Sequence, residues 1–127
     1  MRAIDTNVLV RLLVRDDAAQ AALAEVFIAQ GAWVPLLALA ETVWVLDAVY
    51  RRKPAQIAAA IDMLLSHEQL VLERADIVSA ALAHYASRSS PGFSDCLMLE
   101  IARACGHLPL GTFDKPLSRR DGAALLA

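Results

Sequence analysis

A chain of 127 residues with 57% hydrophobic content and a formal charge of −2 has the size of one domain (1–127), buries a core without staples, and is not basic enough to bind nucleic acid by bulk charge. Its longest uncharged stretch, Val26 to Ala40, is shorter than a membrane span and is broken by Gln30, Gly31 and Pro35, which excludes a transmembrane helix there. One Arg precedes the first acid, without the basic and long apolar regions of a secretory signal, so a cytoplasmic address is expected.

The elements follow in chain order. Arg2 to Asp5 reads as a first strand and Thr6 to Val14 as a helix. A second helix runs from Asp16 to Gln30, capped by Asp16 or Asp17 and stopped by Gly31. Ala32 to Val34 is a short strand, and Pro35 turns the chain into a helix from Leu36 to Tyr50 that carries Leu37, Ala40, Val43, Trp44 and Leu46 toward the core. Pro54 opens the next helix, through Leu65, where its missing N–H costs little.

Gln69 to Leu72 is a third strand. Arg74 to Ser87 is a helix with Ile77, Ala81, Leu82 and Tyr85 as its buried stripe. Ser89, Ser90, Pro91 and Gly92 break the chain, and Ser94 caps a helix that reaches Cys105 and ends at Gly106. Leu108 to Thr112 is a fourth strand, Pro116 to Arg119 a short helical turn, and Ala123 to Leu126 a fifth strand. Strands alternating with helices predict an α/β fold with a parallel sheet. The excess of Ala, Leu and Val suits helices packed on a small sheet and an additional buried oligomer face.

Cys96 and Cys105 stand nine residues apart on one predicted helix, which puts them on opposite faces and out of bridging reach. There is no CxxC, and His67, His84 and His107 show no ligand spacing, so a zinc site is not expected. Two basic clusters, Arg51, Arg52 and Lys53, and Lys115, Arg119 and Arg120, read as solvated helix ends.

Of the fourteen acids, four stand in unusual places. Asp5 follows the first strand, Glu41 interrupts the apolar face Leu37, Ala40, Val43 and Trp44, Asp95 sits between Phe93 and the apolar CLML, and Asp114 follows LGTF. Each has an ordinary explanation when taken alone: a helix cap for Asp5, a first-turn acid favoured by the helix dipole for Asp95, an Asx turn for Asp114. Glu41 is the hardest to explain in that way. In a parallel sheet the strand carboxyl ends share one edge, where Asp5 and Asp114 would meet and where Asp95 and Glu41, near helix starts, would join them.

Four ionised carboxylates need a counter-charge, because each like-charge pair costs about 4 kcal/mol at ~4 Å and an effective dielectric near ~20. An all-oxygen site suits a hard ion, Mg²⁺ or Mn²⁺. Such ions activate water and neutralise phosphoryl oxygens, which points to phosphodiester hydrolysis.

Four blocks now carry a resemblance: IDTNVLVRLLVRD at the start, ETVWVL from Glu41, FSDCLMLEIARACG from Phe93 and LGTFDK from Leu110. In this order and at these spacings the chain resembles PIN-domain ribonucleases of the VapC type, the toxin half of a toxin–antitoxin pair, over essentially its whole length. The resemblance implies a three-layer α/β/α PIN-like fold with a short central parallel β-sheet and a metal-dependent endoribonuclease. It implies that Asp5, Glu41, Asp95 and Asp114 are the acidic quartet, with Thr6, Asn7, Ser94 and Thr112 as polar support.

By the same resemblance Asp5, Asp95 and Asp114 bind Mg²⁺, directly or through water, and Glu41 orients a water or helps deprotonate it. Cleavage leaves a 5'-phosphate and a 3'-hydroxyl, and the RNA is structured, transfer RNA included. The implied partners are a second copy of the chain and an antitoxin whose carboxyl segment covers the acidic site with a basic side chain. Pro116 and Leu117 depart from the family's further acid and aromatic, so no fifth acid is expected.

Two other classes share parts of this pattern. An aspartyl phosphatase also places an acid after an apolar strand but wants a second acid two residues on, where this chain has Asn7. A binding module with lost catalysis has no reason to keep four costly acids.

Overall fold

Turn and cap signals act over a few residues, and nearly every element forms where its signals stand. In the computed structural model, which describes residues 1–127, β1 (Arg2–Ala3), α1 (Thr6–Val14), α2 (Ala18–Ile28), β2 (Ala32–Val34), α3 (Leu36–Ala48), α4 (Pro54–Ser66) and β3 (Leu70–Leu72) come first. They are followed by α5 (Ala75–Ser87), α6 (Phe93–Ala104), β4 (Leu110–Thr112), α7 (Lys115–Ser118) and β5 (Ala123–Leu125). The chain divides into two compact units, Met1–Ala75 and Asp76–Ala127.

In the first unit three strands pair in parallel, in the order β1-β2-β3, with Ala3 opposite Trp33 and Trp33 opposite Val71. Side-chain and backbone signals place the helices around them. Asp17 caps α2 by accepting from Gln20 N at 3.0 Å. Gly31, at φ 91°, adopts the left-handed conformation that turns α2 into β2 at no Cβ penalty. Pro54 opens α4 as expected. The core holds Leu9, Ile28, Val34, Leu39, Leu46, Ile61 and Leu64, all buried.

The buried face of α3 differs from the expected one. Ala38, Leu39, Thr42, Val43 and Leu46 are buried, whereas Leu37 and Trp44, expected in the core, are 70% and 64% exposed. A helix that is apolar on all sides has no unique stripe, so periodicity alone does not select the face that packs. The helix also ends at Ala48 rather than Tyr50.

In the second unit β4 and β5 pair in parallel, Leu110 opposite Ala123 and Thr112 opposite Leu125, joined through α7. Ile77, Val78, Ala81 and Tyr85 line the buried side of α5, while Leu82 is only half-buried. The Tyr85 and Phe93 rings meet edge to face, 5.9 Å apart at 79°, an arrangement worth about 1 kcal/mol beyond area burial. Gly92, not Ser94, is the N-cap of α6, and the helix begins at Phe93. Cys96 is buried and Cys105 exposed, both as free thiols. Burial is the main reason the Cys96 thiol has a raised pKa, which keeps it protonated and unreactive.

The five strands therefore hydrogen-bond as a group of three and a group of two. No helix is long and apolar enough to cross a membrane.

Candidate active site

The acids of the first unit stand where chain geometry puts them. Asp5 follows β1 as the N-cap of α1, and its Oδ1 accepts from Val8 N at 3.1 Å. That bond fixes the carboxylate's direction and leaves Oδ2 without a protein partner. Glu41 projects from the second turn of α3, on the exposed side with Leu37 and Trp44. Its Oε2 accepts from Thr6 Oγ1 at 2.8 Å, which ties the helix after β1 to the helix after β2. Leu37 and Trp44, two of the apolar neighbours that made Glu41 conspicuous in the sequence, thus flank it on a solvent-facing surface, while Val43 packs inward.

Position and orientation of α3 rest on a further acid. Pro35 is its N-cap and supplies no side-chain bond; Glu73, at the carboxyl end of β3, accepts from Leu36 N through Oε1 at 2.8 Å. A carboxylate at a helix N-terminus satisfies an orphan N–H and opposes the dipole. Glu73 therefore positions the helix that carries Glu41, a role that only the parallel register of β2 and β3 reveals.

The acids of the second unit are arranged differently. Asp114 follows β4, caps α7 by accepting from Leu117 N through Oδ2 at 2.9 Å, and has its own N–H bonded to Thr112 Oγ1 at 2.9 Å. Asp95 lies in the first turn of α6, half-buried, with no hydrogen bond or ion pair. Its pKa is raised, first by burial and second by repulsion from the Asp114 carboxylate. The two acids sense each other, and no basic side chain is bonded to either.

Of the expected supporting residues, Thr6 bonds Glu41 and Thr112 braces the turn bearing Asp114. Asn7 is exposed and lines a cavity of about 290 Å³ with Val8, Leu23, Ala24 and Phe27. Ser94 is exposed at the second position of α6, with no side-chain hydrogen bond.

Besides Glu73, two residues escaped sequence reasoning. Glu100 is 7% exposed, with His84 Nε2 at 3.0 Å and Arg103 Nε at 3.3 Å from its carboxylate. Its signal was the helical spacing Phe93, Cys96, Leu97, Glu100, which puts an acid on a core stripe. Phe113, beside Asp114, is 80% exposed, an aromatic face open to solvent.

The donor chemistry fits a hard divalent cation in kind. Asp95 and Asp114 offer oxygen alone, and Mg²⁺ is commonly held by one or two carboxylates while keeping several waters. Their mutual repulsion is a charge that such an ion offsets. No group of three or more His, Cys, Asp or Glu that could hold a metal is formed, so the fit is that of a pair and not of a protein cage.

The PIN domain family model matches residues 3–123, which is nearly the whole chain. No curated protein and no solved structure matches it. PIN domains are a nuclease-type fold whose nucleases typically use divalent metals. Seven helices and short parallel strands are the three-layer α/β/α class expected from the sequence.

Proposed function

The chain belongs to the PIN-domain family, and on that premise we propose that it is a Mg²⁺-dependent endoribonuclease, the VapC-type toxin of a toxin–antitoxin pair. Asp5, Glu41, Asp95 and Asp114 are the residues assigned to hydrolysis of RNA phosphodiester bonds. The observation that carries this reading is the Asp95–Asp114 pair: a half-buried acid whose proton affinity is raised first by burial and second by a neighbouring acid, with no side chain bonded to balance either. Such a pair is costly to the fold and useful to a cation.

Asp95 and Asp114 would hold Mg²⁺ or Mn²⁺, with Asp5 added to them by the family pattern alone, and the ion would supply charge neutralisation at the phosphate and a water acidic enough to attack it. Glu41 acts as general base: Thr6 orients it, and its Oε1 remains open to accept a proton from the attacking water. Attack by water rather than by the ribose hydroxyl leaves a 5'-phosphate and a 3'-hydroxyl. Phe113 offers a stacking face for an unpaired base next to Asp114, which suits a loop of structured RNA such as transfer RNA.

Exposed apolar residues support the protein partners. Leu37 and Trp44 flank Glu41 on α3, and Leu23 and Val26 lie on α2, each at least 64% exposed. A homodimer and an antitoxin whose basic side chain reaches the acids would cover such surfaces, and a toxin acting on cellular RNA works in the cytoplasm.

Purified protein incubated with labelled transfer RNA tests the reading. Cleavage is expected with Mg²⁺ and not with EDTA, and Asp5→Asn abolishes it. Asn is preferred to Ala because it keeps an acceptor for Val8 N, so the helix cap survives while the charge is lost. Cleavage unchanged in Asp5→Asn overturns the assignment, and tight RNA binding without turnover in the native chain would show a binding module instead.

A further inference from the structure

Arg88, Ser90, Pro116, Arg119 and Arg120 enclose a second-unit cavity of about 230 Å³. In the sequence Arg119 and Arg120 look like a solvated helix end, and Arg88 stands 31 residues upstream of Arg119. Tertiary structure brings the three arginines around one concavity lined by no acidic residue. Like charges collected in this way repel one another unless an anion sits between them.

The three arginines do not have the same task. Arg120 is half-buried, and its Nη2 donates to the carbonyls of His84 at 3.5 Å, Arg88 at 2.8 Å and Ser90 at 3.3 Å. It engages the carbonyls of Arg88 and Ser90 just past α5, adds a longer bond to that of His84, which already accepts from Arg88 N and Ser87 Oγ, and so holds Arg88 and Ser90 beside the end of α7. Arg88 and Arg119 are exposed, and their side chains make no hydrogen bond or ion pair. The cavity is therefore braced by one guanidinium, and two of the residues that line it, Arg88 and Arg119, carry unengaged ones. Planar, bidentate donors of this type match phosphate oxygens.

The position favours a polynucleotide over an acidic protein segment. Helix α7 runs from its N-cap Asp114 to its C-cap Arg119, so the cavity, lined along it from Pro116 onward, has Arg119 about 8 Å along the helix axis from Asp114 at a rise of ~1.5 Å per residue. A strand with one phosphate at Asp95 and Asp114 has another within reach of the cavity. We infer that this arginine cavity binds a backbone phosphate of the RNA strand, a nucleotide or two from the bond that is cut; the position, though not the phosphate chemistry, rests on the ribonuclease reading.

Fluorescence anisotropy of a labelled single-stranded RNA oligonucleotide in EDTA, where no cleavage interferes, tests the cavity over a range of salt concentrations. The double variant Arg88→Ala, Arg119→Ala touches neither the acids nor the backbone bonds of Arg120. It is expected to weaken binding by about tenfold or more and to reduce the slope of log affinity against log salt by roughly one to two, with an unchanged melting temperature. DNA of the same sequence loses as much, because phosphate is read and not the 2'-hydroxyl, and Arg88→Lys with Arg119→Lys restores part of the salt slope.

Native affinity and slope in the double alanine variant overturn the inference, and if the native protein still cleaves RNA with Mg²⁺ the ribonuclease reading stands without it. A double variant that loses binding of inorganic phosphate, or of an acidic peptide, while keeping its RNA affinity also overturns it. A native protein that neither binds nor cleaves RNA removes both.

Discussion

The two acidic pairs of this chain are built on opposite principles. In the first unit Asp5 is spent partly on a helix cap and Glu41 on a bond from Thr6, and both carboxylates face solvent. In the second unit Asp114 is a cap too, but Asp95 is half-buried, unbonded and repelled by its neighbour. Exposed, hydrogen-bonded acids cost a fold little, whereas a half-buried acid facing another acid costs stability unless a cation or proton relieves it. The contrast separates Glu41, a carboxylate oriented by a neighbour's hydroxyl, from Asp95, a carboxylate suited to holding a positive charge.

Charge removal at the strained pair has the largest expected effect. Asp95→Asn and Asp114→Asn each reduce Mg²⁺-supported RNA cleavage by about 10²-fold or more, and the amide oxygen introduced by Asp114→Asn still accepts from Leu117 N, so the cap of α7 is kept. Single-turnover cleavage assays measure the loss. A rise in the Mg²⁺ concentration needed for half-maximal cleavage as large in Glu41→Gln as in Asp95→Asn would erase the division of roles.

The first pair sharpens it. Glu41→Gln is expected to lower kcat by about 10²-fold with little change in KM for RNA, as for loss of a general base. Thr6→Val, which only releases Glu41, costs about tenfold, and Thr6→Ser restores most of the rate. A KM effect in place of a kcat effect would make Glu41 a binding residue.

Glu100 supplies the control, since it is a buried acid balanced by His84 and Arg103. Glu100→Gln should lower unfolding stability by about 1–2 kcal/mol in urea titrations and leave cleavage per folded molecule unchanged. A fall in cleavage at full stability would move Glu100 into the functional set.

The smallest effect is one of pH. Asp95 has a folded-state pKa above its ordinary value of 3.8, so its proton binds the folded state more tightly than the unfolded chain. The stability this contributes is fully present below 3.8 and is lost as pH rises through the folded-state value. Asp95→Asn should therefore melt higher than the native chain at neutral pH, by a few degrees at most, with the difference closing in acid. Mg²⁺ should narrow it at neutral pH by stabilising the native chain alone, and a difference independent of pH would show that Asp95 carries no strain.

Much of this was legible before folding was considered. Asp17, Gly31, Pro54 and Gly106 mark element ends through bonds and dihedral preferences within a few residues, so boundaries came out close. The positions of Asp5 and Asp114 just past apolar strands were visible in the same way. The facing of α3 was not, because Leu37 and Trp44 are as apolar as the Leu39 and Val43 that pack. Nor was the fixing of α3 by Glu73, which needs β2 and β3 side by side.

By itself the sequence determined the order and ends of the helices and strands, the all-oxygen character of the acids, and the family, since each rests on local spacing. Tertiary structure alone decided which acids are bonded and which are strained, that Glu100 is balanced in a core, and that Arg88 meets Arg119 and Arg120 around one cavity. Those outcomes depend on distances between residues remote in the chain. A carboxylate's desolvation and a guanidinium's neighbours have no value until the chain has closed around them.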